Sequence, residues 1–322
     1  MIISLVLIGR DEAAHLGAAL DHALAGAHDM DVLGHSTEVL FVDCGSRDTS
    51  LAIAYARPGV RVLSLTGTPL NAARARNLGI AEARGEFVQL LDGDMFVHPQ
   101  WLPNALEALA DEDLAAVGGR IHERQLRSSP WNTAFGMDWA EEPARPAILG
   151  GAALWRTASL RSLDGFDPTL RLGEDPDLYL RARAQGFEVA RINTMMASHD
   201  LGLKSALAWW QRACSVGRSR ACVFLKHSED TAVRRNLRSP VLTLTALGLG
   251  FGITLFAGPT ALGFLALGVA GIVLRHAVRA MARGTPLRQA FIHAVHVYAI
   301  KIPVALAALV VLLSPFRHGT TQ

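Results

Sequence analysis

Short apolar runs alternate with helical stretches over the first 200 residues. The runs have the length of buried strands and are bounded by polar or glycine-containing turns; they cover residues 2–8, 39–42, 60–65 and 87–91. Between them, the apolar spacing predicts helices near residues 13–25, 49–56 and 72–83. This alternation predicts an α/β fold in which a mostly parallel, Rossmann-like sheet is flanked by helices.

The pattern changes near the C-terminus, where residues 239–274 form 36 positions without a charge. One helix of that length would measure about 54 Å, whereas a bilayer core is about 30 Å thick. Gly258 and Pro259 would divide the run into segments 241–257 and 260–274, which predicts a membrane hairpin. A third candidate, 291–313, carries Lys301, whose insertion costs about 2.5–3.5 kcal/mol. A buried helical core is the alternative, and the number of spans stays open.

Charge divides the chain at residue 230, because every one of its 29 Asp and Glu residues lies at or before Asp230. Residues 231–322 carry only basic charges, and these border the apolar runs. This pattern favours an anionic lipid surface over nucleic acid as the partner. We therefore predict a catalytic domain over 1–230 and a C-terminal membrane-associated region over 231–322. The bordering cations are Arg234, Arg235, Arg238, Arg275, Arg279 and Arg283.

Three observations favour a cytoplasmic location for the N-terminal domain. The arginines that flank the predicted hairpin place both of its ends on the cytoplasmic side of the inner membrane by the positive-inside rule. The apolar run at residues 1–9 is too short for a signal peptide. Cys44, Cys214 and Cys222 form no close pair in the sequence, which fits a reducing compartment.

Acidic residues follow the fourth predicted strand, where Asp92 and Asp94 stand in Leu-Asp-Gly-Asp. Carboxylate oxygens suit Mg2+ or Mn2+, and such a site leaves positions for substrate phosphates. Two acids in a strand-end loop can also be simply solvated or cap a helix. Polar turns follow strands one and two at residues 9–12 and 43–48, so three polar strand ends share one edge of the sheet. The first turn has a single glycine, which argues against a dinucleotide-binding fingerprint.

The motifs in this order resemble the family 2 inverting glycosyltransferases. They are Gly-Arg-Asp-Glu at 9–12, Val-Asp-Cys-Gly-Ser-Arg-Asp-Thr-Ser at 42–50, Ala-Arg-Asn-Leu-Gly-Ile at 75–80, Leu-Asp-Gly-Asp at 91–94, Gly-Gly-Ala-Ala-Leu-Trp-Arg at 150–156 and Gly-Glu-Asp at 173–175. The resemblance covers roughly residues 2–200. It implies the GT-A nucleotide-diphospho-sugar transferase fold, followed here by hydrophobic C-terminal helices.

The resemblance also implies roles for individual residues. Asp43 and Glu12 would bind the nucleobase, Asp92 the ribose or the metal, and Asp94 the metal, which would be Mn2+ or Mg2+. Asp175 would be the general base. His199 resembles the histidine that many GT-A enzymes add to the metal or diphosphate; a histidine that only satisfies its hydrogen bonds is the alternative, and His98 is a weaker competitor. Guanidinium chemistry would let Arg74 and Arg76 reach phosphate, with solvated helix arginines as the alternative; Arg74 is assigned to phosphate, and Arg76 with Asn77 to structural roles.

Acceptor-side residues are harder to assign. Glu174 could tune the base, although neighbours in an extended segment point apart. Trp209 and Trp210 could stack on an acceptor sugar, lie at the bilayer interface or pack in a core. Residues 131–139, with Glu141 and Glu142, are expected to form an acceptor-side loop.

The sequence thus predicts a membrane-anchored, metal-dependent inverting enzyme that moves one sugar from a UDP-, GDP- or dTDP-sugar to a glycan or lipid-linked acceptor. The Gln-x-x-Arg-Trp motif of processive synthases is replaced by Trp-Gln-Arg-Ala-Cys at 210–214, which favours a single addition. Two alternatives stay open: transfer to polyprenyl phosphate itself, and a non-catalytic membrane subunit that retains the fold.

Overall fold

The computed structural model describes residues 1–139 and 149–314. Glu141 and Glu142, assigned above to an acceptor-side loop, lie outside the described residues. Backbone contacts divide the chain into two compact units. Of the described residues, the first unit comprises 1–124, 139 and 149–200, and the second comprises 125–138 and 201–314. The second unit therefore includes residues 201–230, which the charge pattern grouped with the catalytic domain.

The first unit is built on one mixed sheet, in the order β3-β2-β1-β4-β7-β6-β8-β5. Pairing is parallel from β3 through β4 and between β6 and β8, and antiparallel for β4–β7, β6–β7 and β5–β8. The strands are β1 (Ile2–Gly9), β2 (Ser36–Asp43), β3 (Val60–Ser64), β4 (Phe87–Asp92), β5 (Met95–Val97), β6 (Leu114–Glu123), β7 (Ala153–Arg156) and β8 (Glu188–His199). The predicted α/β sheet is confirmed.

Helices cover both faces of this sheet. They are α1 (Leu16–Val32), α2 (Ser50–Tyr55), α3 (Ala72–Glu82), α4 (Trp101–Ala108), α6 (Thr157–Ser162) and α7 (Glu174–Ala184), with α5 (Pro130–Gly136) belonging to the second unit. Along β1, Ile3, Leu5 and Leu7 pack into one core, while Val6 and Ile8 pack into the other. Successive side chains of a strand alternate between faces, so a strand buried on both faces needs the continuous apolar run seen here.

Strand register brings the predicted polar turns together. Gly9 at the end of β1 pairs with Asp43 of β2, and the preceding Ile8 pairs with Asp92 of β4. The Gly93 amide then donates to the Ile8 carbonyl at 2.7 Å. The loops after β1, β2 and β4 therefore share one edge of the sheet, as predicted for parallel strands.

The second unit is helical. Besides α5 it contains α8 (Ala206–Lys226), α9 (Thr231–Ala257), α10 (Pro259–Ala282), α11 (Leu287–Ala299) and α12 (Lys301–Leu313). The predicted break after residue 257 is confirmed: Gly258 has a φ of +78° and separates α9 from α10. Helix α9 begins ten residues earlier than the predicted segment and contains Pro240. Pro240 has no N–H to donate to the Asn236 carbonyl, and Arg220 Nη1 donates to that oxygen instead, at 3.2 Å.

Within residues 1–139 and 149–314, three helical stretches are long and apolar enough to cross a membrane: Thr231–Ala257, Thr260–Ala282 and Leu287–Leu313. The third joins α11 and α12 through Ile300, whose backbone stays helical. Pro303 cannot donate a hydrogen bond to Ala299, which explains the interruption between the two helices. Lys301 stands at this junction, with its Nζ 5.5 Å from the Tyr298 ring centre.

Candidate active site

Two loops at the sheet edge hold each other in place. The Asp11 amide donates to Ser46 Oγ at 3.0 Å, and the Asp11 carboxylate accepts from the Arg47 amide at 2.7 Å. Asp11 has a positive φ of 58°, a conformation that short polar side chains tolerate. The next amide, that of Glu12, donates to Ser50 Oγ at 2.9 Å. These bonds fix the backbone from which the Glu12 side chain projects.

Asp94 and His199 meet through a strand pair. Met95 of β5 pairs with His199 of β8, so Asp94, immediately before β5, lies beside the end of β8. His199 Nε2 is 2.9 Å from Asp94 Oδ2, and the histidine is buried. The structure thus brings together two of the residues assigned to the metal. His98, the weaker competitor, has a different partner: its Nδ1 accepts a hydrogen bond from the Gln100 amide.

Negative charge is crowded around Glu12. Burial, followed by the charges of Asp94 and Asp92, raises the pKa of Glu12 to about 7. Within the described residues, no three His, Cys, Asp or Glu side chains are close enough to enclose an ion by themselves. Mg2+ and related ions are commonly held by one or two carboxylates while phosphates and water complete the shell. The oxygen and nitrogen donors of Asp94 and His199 fit such an ion, which would relieve the crowding.

Arg76 connects three other carboxylates. Its Nη2 lies 2.8 Å from Asp92 Oδ1, and its Nη1 lies 3.0 Å from Glu174 Oε1 and 3.2 Å from Asp175 Oδ1. The guanidinium is buried, and burial alone would lower its pKa. The charges of Asp175, Asp92 and Glu174 outweigh this effect and raise the pKa above its ordinary value. Arg76 therefore stays charged and joins the end of β4 to the start of α7.

A glycine makes room for this guanidinium. A Cβ atom at Gly151 would lie 2.1 Å from Arg76 Nη2, far inside van der Waals contact. The Gly151 amide also hydrogen-bonds to the Asp175 carboxylate. A Cβ atom at Gly150 would have no described atom within 4 Å. The Gly150 carbonyl accepts a hydrogen bond from the Tyr179 hydroxyl at 3.1 Å.

Asp175 lies in the first turn of α7, after Gly173, whose φ is +89°. Burial raises the pKa of Asp175 to about 7; Arg76 opposes this effect, whereas Glu174 and Asp92 add to it. The Asp175 carboxyl is therefore only partly ionised near neutral pH. The expectation that Glu174 and Asp175 point apart is wrong, because both are in a helical turn and both contact Arg76 Nη1.

The structure places the remaining nucleotide-side candidates against backbone groups. Asp43 is buried, and its carboxylate accepts from the amides of Gly45 and Ser46 at 3.0 and 3.2 Å. Arg74 donates to the carbonyls of Pro69 and Thr66 at 2.6 and 2.9 Å. In this arrangement both side chains hold the shape of the loops after β2 and β3.

The tryptophans belong to the second unit. Trp209 is buried with Trp131 and Phe135, and its Nε1–H donates to His296 Nδ1 at 2.9 Å. His296 Nε2 in turn lies 3.0 Å from Asp138 Oδ2. Of the three roles open to Trp209, the structure favours core packing. Trp210, in contrast, is 40% exposed.

The sequence reasoning assigned Arg76 a structural role and therefore missed its contacts with the candidate base. Asn77 does have a structural role, since it bonds to both the amide and the carbonyl of Phe166. A signal for Arg76 was available: residues two apart do not share a helix face, so Arg74 and Arg76 had to project differently from α3. No signal in the sequence pointed to Gly151 as the residue that makes room for the guanidinium.

Comparisons with known proteins show which family and which fold the chain resembles. Residues 4–159 match the model of glycosyl transferase family 2. The chain is 28% identical over 171 residues to a pre-mycofactocin glycosyltransferase of Mycobacterium tuberculosis, with 50% of this chain and 36% of that protein covered. It is 28% identical over 212 residues to the succinoglycan biosynthesis protein ExoO of Rhizobium meliloti, with coverage of 57% and 56%. The chain therefore spans only about a third to a half of the length of these relatives.

Among solved structures, the mannosyltransferase PcManGT of Pyrobaculum calidifontis, in complex with GDP-Man and Mn2+, is similar with a TM-score of 0.67 at 20% identity. The likeness covers 95% of this chain and 86% of that one, so it extends into the C-terminal helices. At this identity it shows the fold alone. Residues 4–159 thus match a family 2 glycosyltransferase domain, and the chain has the GT-A fold.

Proposed function

We propose that this protein is a membrane-anchored, metal-dependent inverting glycosyltransferase that transfers one sugar from a nucleotide-sugar donor to a glycan or lipid-linked acceptor. The observation that carries the proposal is the convergence of Asp92 and Asp175 on the Arg76 guanidinium. It links the carboxylate expected at the donor to the carboxylate expected at the acceptor. Turnover of a nucleotide sugar distinguishes this enzyme from a non-catalytic subunit that keeps the same ion pairs for stability.

Asp175 is the proposed general base. Its carboxylate would take the proton of the acceptor hydroxyl while that oxygen forms a bond to the anomeric carbon, and the bond between that carbon and the diphosphate breaks. Attack from the side opposite the leaving group inverts the anomeric configuration. A pKa of about 7 supports this role, because a base poised near the working pH combines availability with basicity.

Asp94 and His199, with Asp92 nearby, are the residues proposed to hold Mn2+ or Mg2+. When bound, the ion would neutralise charge on the leaving nucleoside diphosphate. Glu12 would complete the negative surroundings of this site, and its raised pKa supports a place for a cation there. The Mn2+ in the PcManGT complex supports the same cofactor class.

For the donor, we propose a UDP-, GDP- or dTDP-sugar, with Glu12 and Asp43 on the nucleobase side and Arg74 on the phosphate side. In the described geometry, Asp43 and Arg74 are engaged with loop backbone. They would act on the donor by shaping the loops after β2 and β3. GDP-Man in the PcManGT complex supports the nucleotide-sugar class.

For the acceptor, we propose a lipid-linked or polymeric glycan met at the cytoplasmic face of the inner membrane. The three long apolar helices support anchoring, and the role of ExoO in succinoglycan biosynthesis supports a glycan product. Glu174 and the exposed Trp210 are the proposed acceptor-side residues. The same apolar helices favour a second candidate, transfer to polyprenyl phosphate itself, which is recognised by turnover when that lipid is offered without a sugar.

The test is nucleotide release by the purified protein with a panel of UDP-, GDP- and dTDP-sugars, with and without Mn2+. We expect one donor class to be turned over with metal present and Asp94→Ala to lose that turnover. His199→Ala should raise the Mn2+ concentration needed for turnover, whereas the matched variant His98→Ala should leave that concentration unchanged. Turnover that is independent of metal, or that survives Asp94→Ala, would contradict the proposed metal role.

A further inference from the structure

Three arginines line a groove along the first turns of α9. The groove is open to solvent, and all of its described lining lies on one face of this helix. Arg234, Arg235 and Arg238 supply its charge, and all three are exposed. Thr231, Ser239, Leu242 and Thr243 complete its described lining. The groove therefore combines fixed positive charge with hydroxyl and apolar groups.

Two acids, Glu229 and Asp230, precede these arginines, and Arg234 Nη2 donates to the Glu229 carbonyl at 2.9 Å. No acidic residue follows Asp230, and the Asp230 carboxylate accepts from the amides of Ala232 and Val233 at 2.9 and 3.0 Å. Those bonds occupy two of the free amides at the start of α9. The groups of the groove that attract an anion are therefore its side chains and not the helix N-terminus. Guanidinium groups match the geometry of phosphate oxygens and form charge-assisted hydrogen bonds with them.

The groove lies at a defined depth along the helical hairpin. A Cβ atom at Gly250 of α9 would lie 3.3 Å from the Leu265 side chain of α10, so the two helices run back alongside each other from Gly258. Arg238 precedes Gly258 by about 30 Å of helix, and Arg279 follows it by about 32 Å. A bilayer core is about 30 Å thick. Both arginine clusters thus reach the same polar boundary when Gly258 lies at the opposite one.

The helix surfaces between these levels are apolar and exposed. Phe256 is 94% exposed, Phe264 76% and Phe251 58%. The first two candidate spans are mostly unburied within the protein. These apolar side chains lie between the level of the arginine clusters and that of Gly258. They present a surface for acyl chains, and the arginines lie at the level of the lipid headgroups.

We infer that the α9 groove binds the phosphate of an anionic phospholipid of the leaflet that holds the N-terminal end of α9. Arg234, Arg235 and Arg238 contact the phosphate, while Leu242 and the apolar surface below it contact the glycerol backbone and acyl chains. The inference rests on the proposed membrane insertion of α9 and α10. It assigns a lipid-binding role to arginines that take no part in the proposed transfer reaction.

The experiment uses the full-length protein purified in dodecyl maltoside and titrated with dioleoyl phosphatidylglycerol, dioleoyl phosphatidylcholine or inorganic phosphate. Native mass spectrometry counts bound lipid, and the thermal unfolding midpoint reports phosphate binding. We expect saturable binding of phosphatidylglycerol at least about tenfold tighter than that of phosphatidylcholine, with no response to phosphate at the same concentration. Equal binding of the two lipids, or equal binding of inorganic phosphate, overturns the inference.

Two triple variants with the same loss of charge separate the groove from general attraction. One carries Arg234→Gln, Arg235→Gln and Arg238→Gln; the other carries Arg275→Gln, Arg279→Gln and Arg283→Gln. In the non-ionic detergent micelle there is no anionic surface potential, so only cations in direct contact with the bound phosphate contribute. At roughly a fivefold factor for each charge-assisted contact, the α9 triple should lose up to about a hundredfold in phosphatidylglycerol affinity. The α10 triple should lose less than about fivefold. Equal losses in the two triples overturn the groove in favour of a diffuse potential.

Folding and anchoring are measured separately. Helical circular dichroism and a single size-exclusion peak check each variant, and if the α9 triple fails them, Arg235→Gln alone should weaken binding about fivefold. Flotation with phosphatidylcholine vesicles tests anchoring itself. Failure to float contradicts the membrane part of the proposed function and the inference with it, whereas flotation without lipid selectivity contradicts the inference alone.

Discussion

Arg76 Nη2 lies 2.8 Å from Asp92 Oδ1, joining helix α3 to the end of strand β4. The second nitrogen of the same guanidinium reaches Glu174 and Asp175 at the start of α7. A rigid planar cation thus sets the spacing between a donor-side carboxylate and the proposed base. Because the cation is buried, its loss would leave three acids without a shared partner.

Arg76→Ala is expected to destabilise the protein and abolish transfer. Removing one partner of a buried ion pair typically costs about 3–5 kcal/mol, because the remaining charge is left uncompensated. Arg76→Lys should retain some stability but lose the bidentate spacing. Arg84→Ala, an exposed arginine just past the same helix, is the control. Thermal unfolding and donor turnover measure both effects, and an Arg76→Ala protein with normal turnover would refute the role of the guanidinium.

Gly151→Ala should impair transfer by displacing Arg76. The added methyl group would lie 2.1 Å from Arg76 Nη2, so the guanidinium would have to leave its carboxylates. Gly150→Ala is the matched control, since nothing described lies within 4 Å of the atom it adds. We expect turnover to fall at least about tenfold in the first variant, a loss of about 1.4 kcal/mol of transition-state stabilisation, and to change little in the second. Similar turnover in both would mean that the two glycines tolerate side chains equally.

The sequence predicted those elements that a local pattern of residues determines by itself. The strands of the parallel region, the break at Gly258 and the shared edge of the loops after β1, β2 and β4 follow from apolar runs, turn residues and parallel pairing. Spacing alone could not reveal that Arg76 meets residues 98 and 99 positions later, because that contact depends on how α3 and α7 pack. The same limit applied to Trp209, whose partner His296 lies 87 residues away.

Local conformation caused the other differences. Glu174 and Asp175 were expected to be extended, but Gly173 adopts a left-handed conformation and starts a helix. In that turn both carboxylates face Arg76. Likewise, α9 continues through Pro240 because Arg220 bonds to the carbonyl that proline leaves without a donor.

Asp175→Asn should lower kcat by about 10²–10⁴, the usual contribution of a general base, and leave the fold intact. Glu174→Gln removes a neighbouring charge that contacts the same Arg76 nitrogen, so it controls for electrostatics. We expect Glu174→Gln to keep most of its kcat and, as a proposed acceptor-side residue, to raise the KM for the acceptor. Kinetics with the identified donor measure the difference, and near-normal kcat in a folded Asp175→Asn protein would exclude Asp175 as the base.

Transfer should depend on pH with a midpoint near 7. The pKa of Asp175 is raised to about 7, first by burial and then by Glu174 and Asp92, and only the deprotonated carboxylate accepts the proton. The rate should therefore fall as pH drops below 7, by about tenfold per unit at low pH. Glu174→Gln removes one negative charge, so its profile should shift to lower pH. An unchanged midpoint in this variant would show that another group controls the profile.

Gly217→Leu tests the packing of the second unit. Ala213, Gly217 and Ala221 recur every four residues along α8 and are buried, an arrangement that lets helix backbones approach closely. A Cβ atom at Gly217 would lie 2.3 Å from the Val304 carbonyl oxygen of α12, and a backbone atom cannot move aside as a side chain can. We expect a loss of about 1–3 kcal/mol or more, as in other overpacked cores, seen as a lower thermal midpoint in detergent. Gly248→Leu, with open space around it, should leave the midpoint nearly unchanged; equal midpoints for the two variants would contradict this contact between α8 and α12.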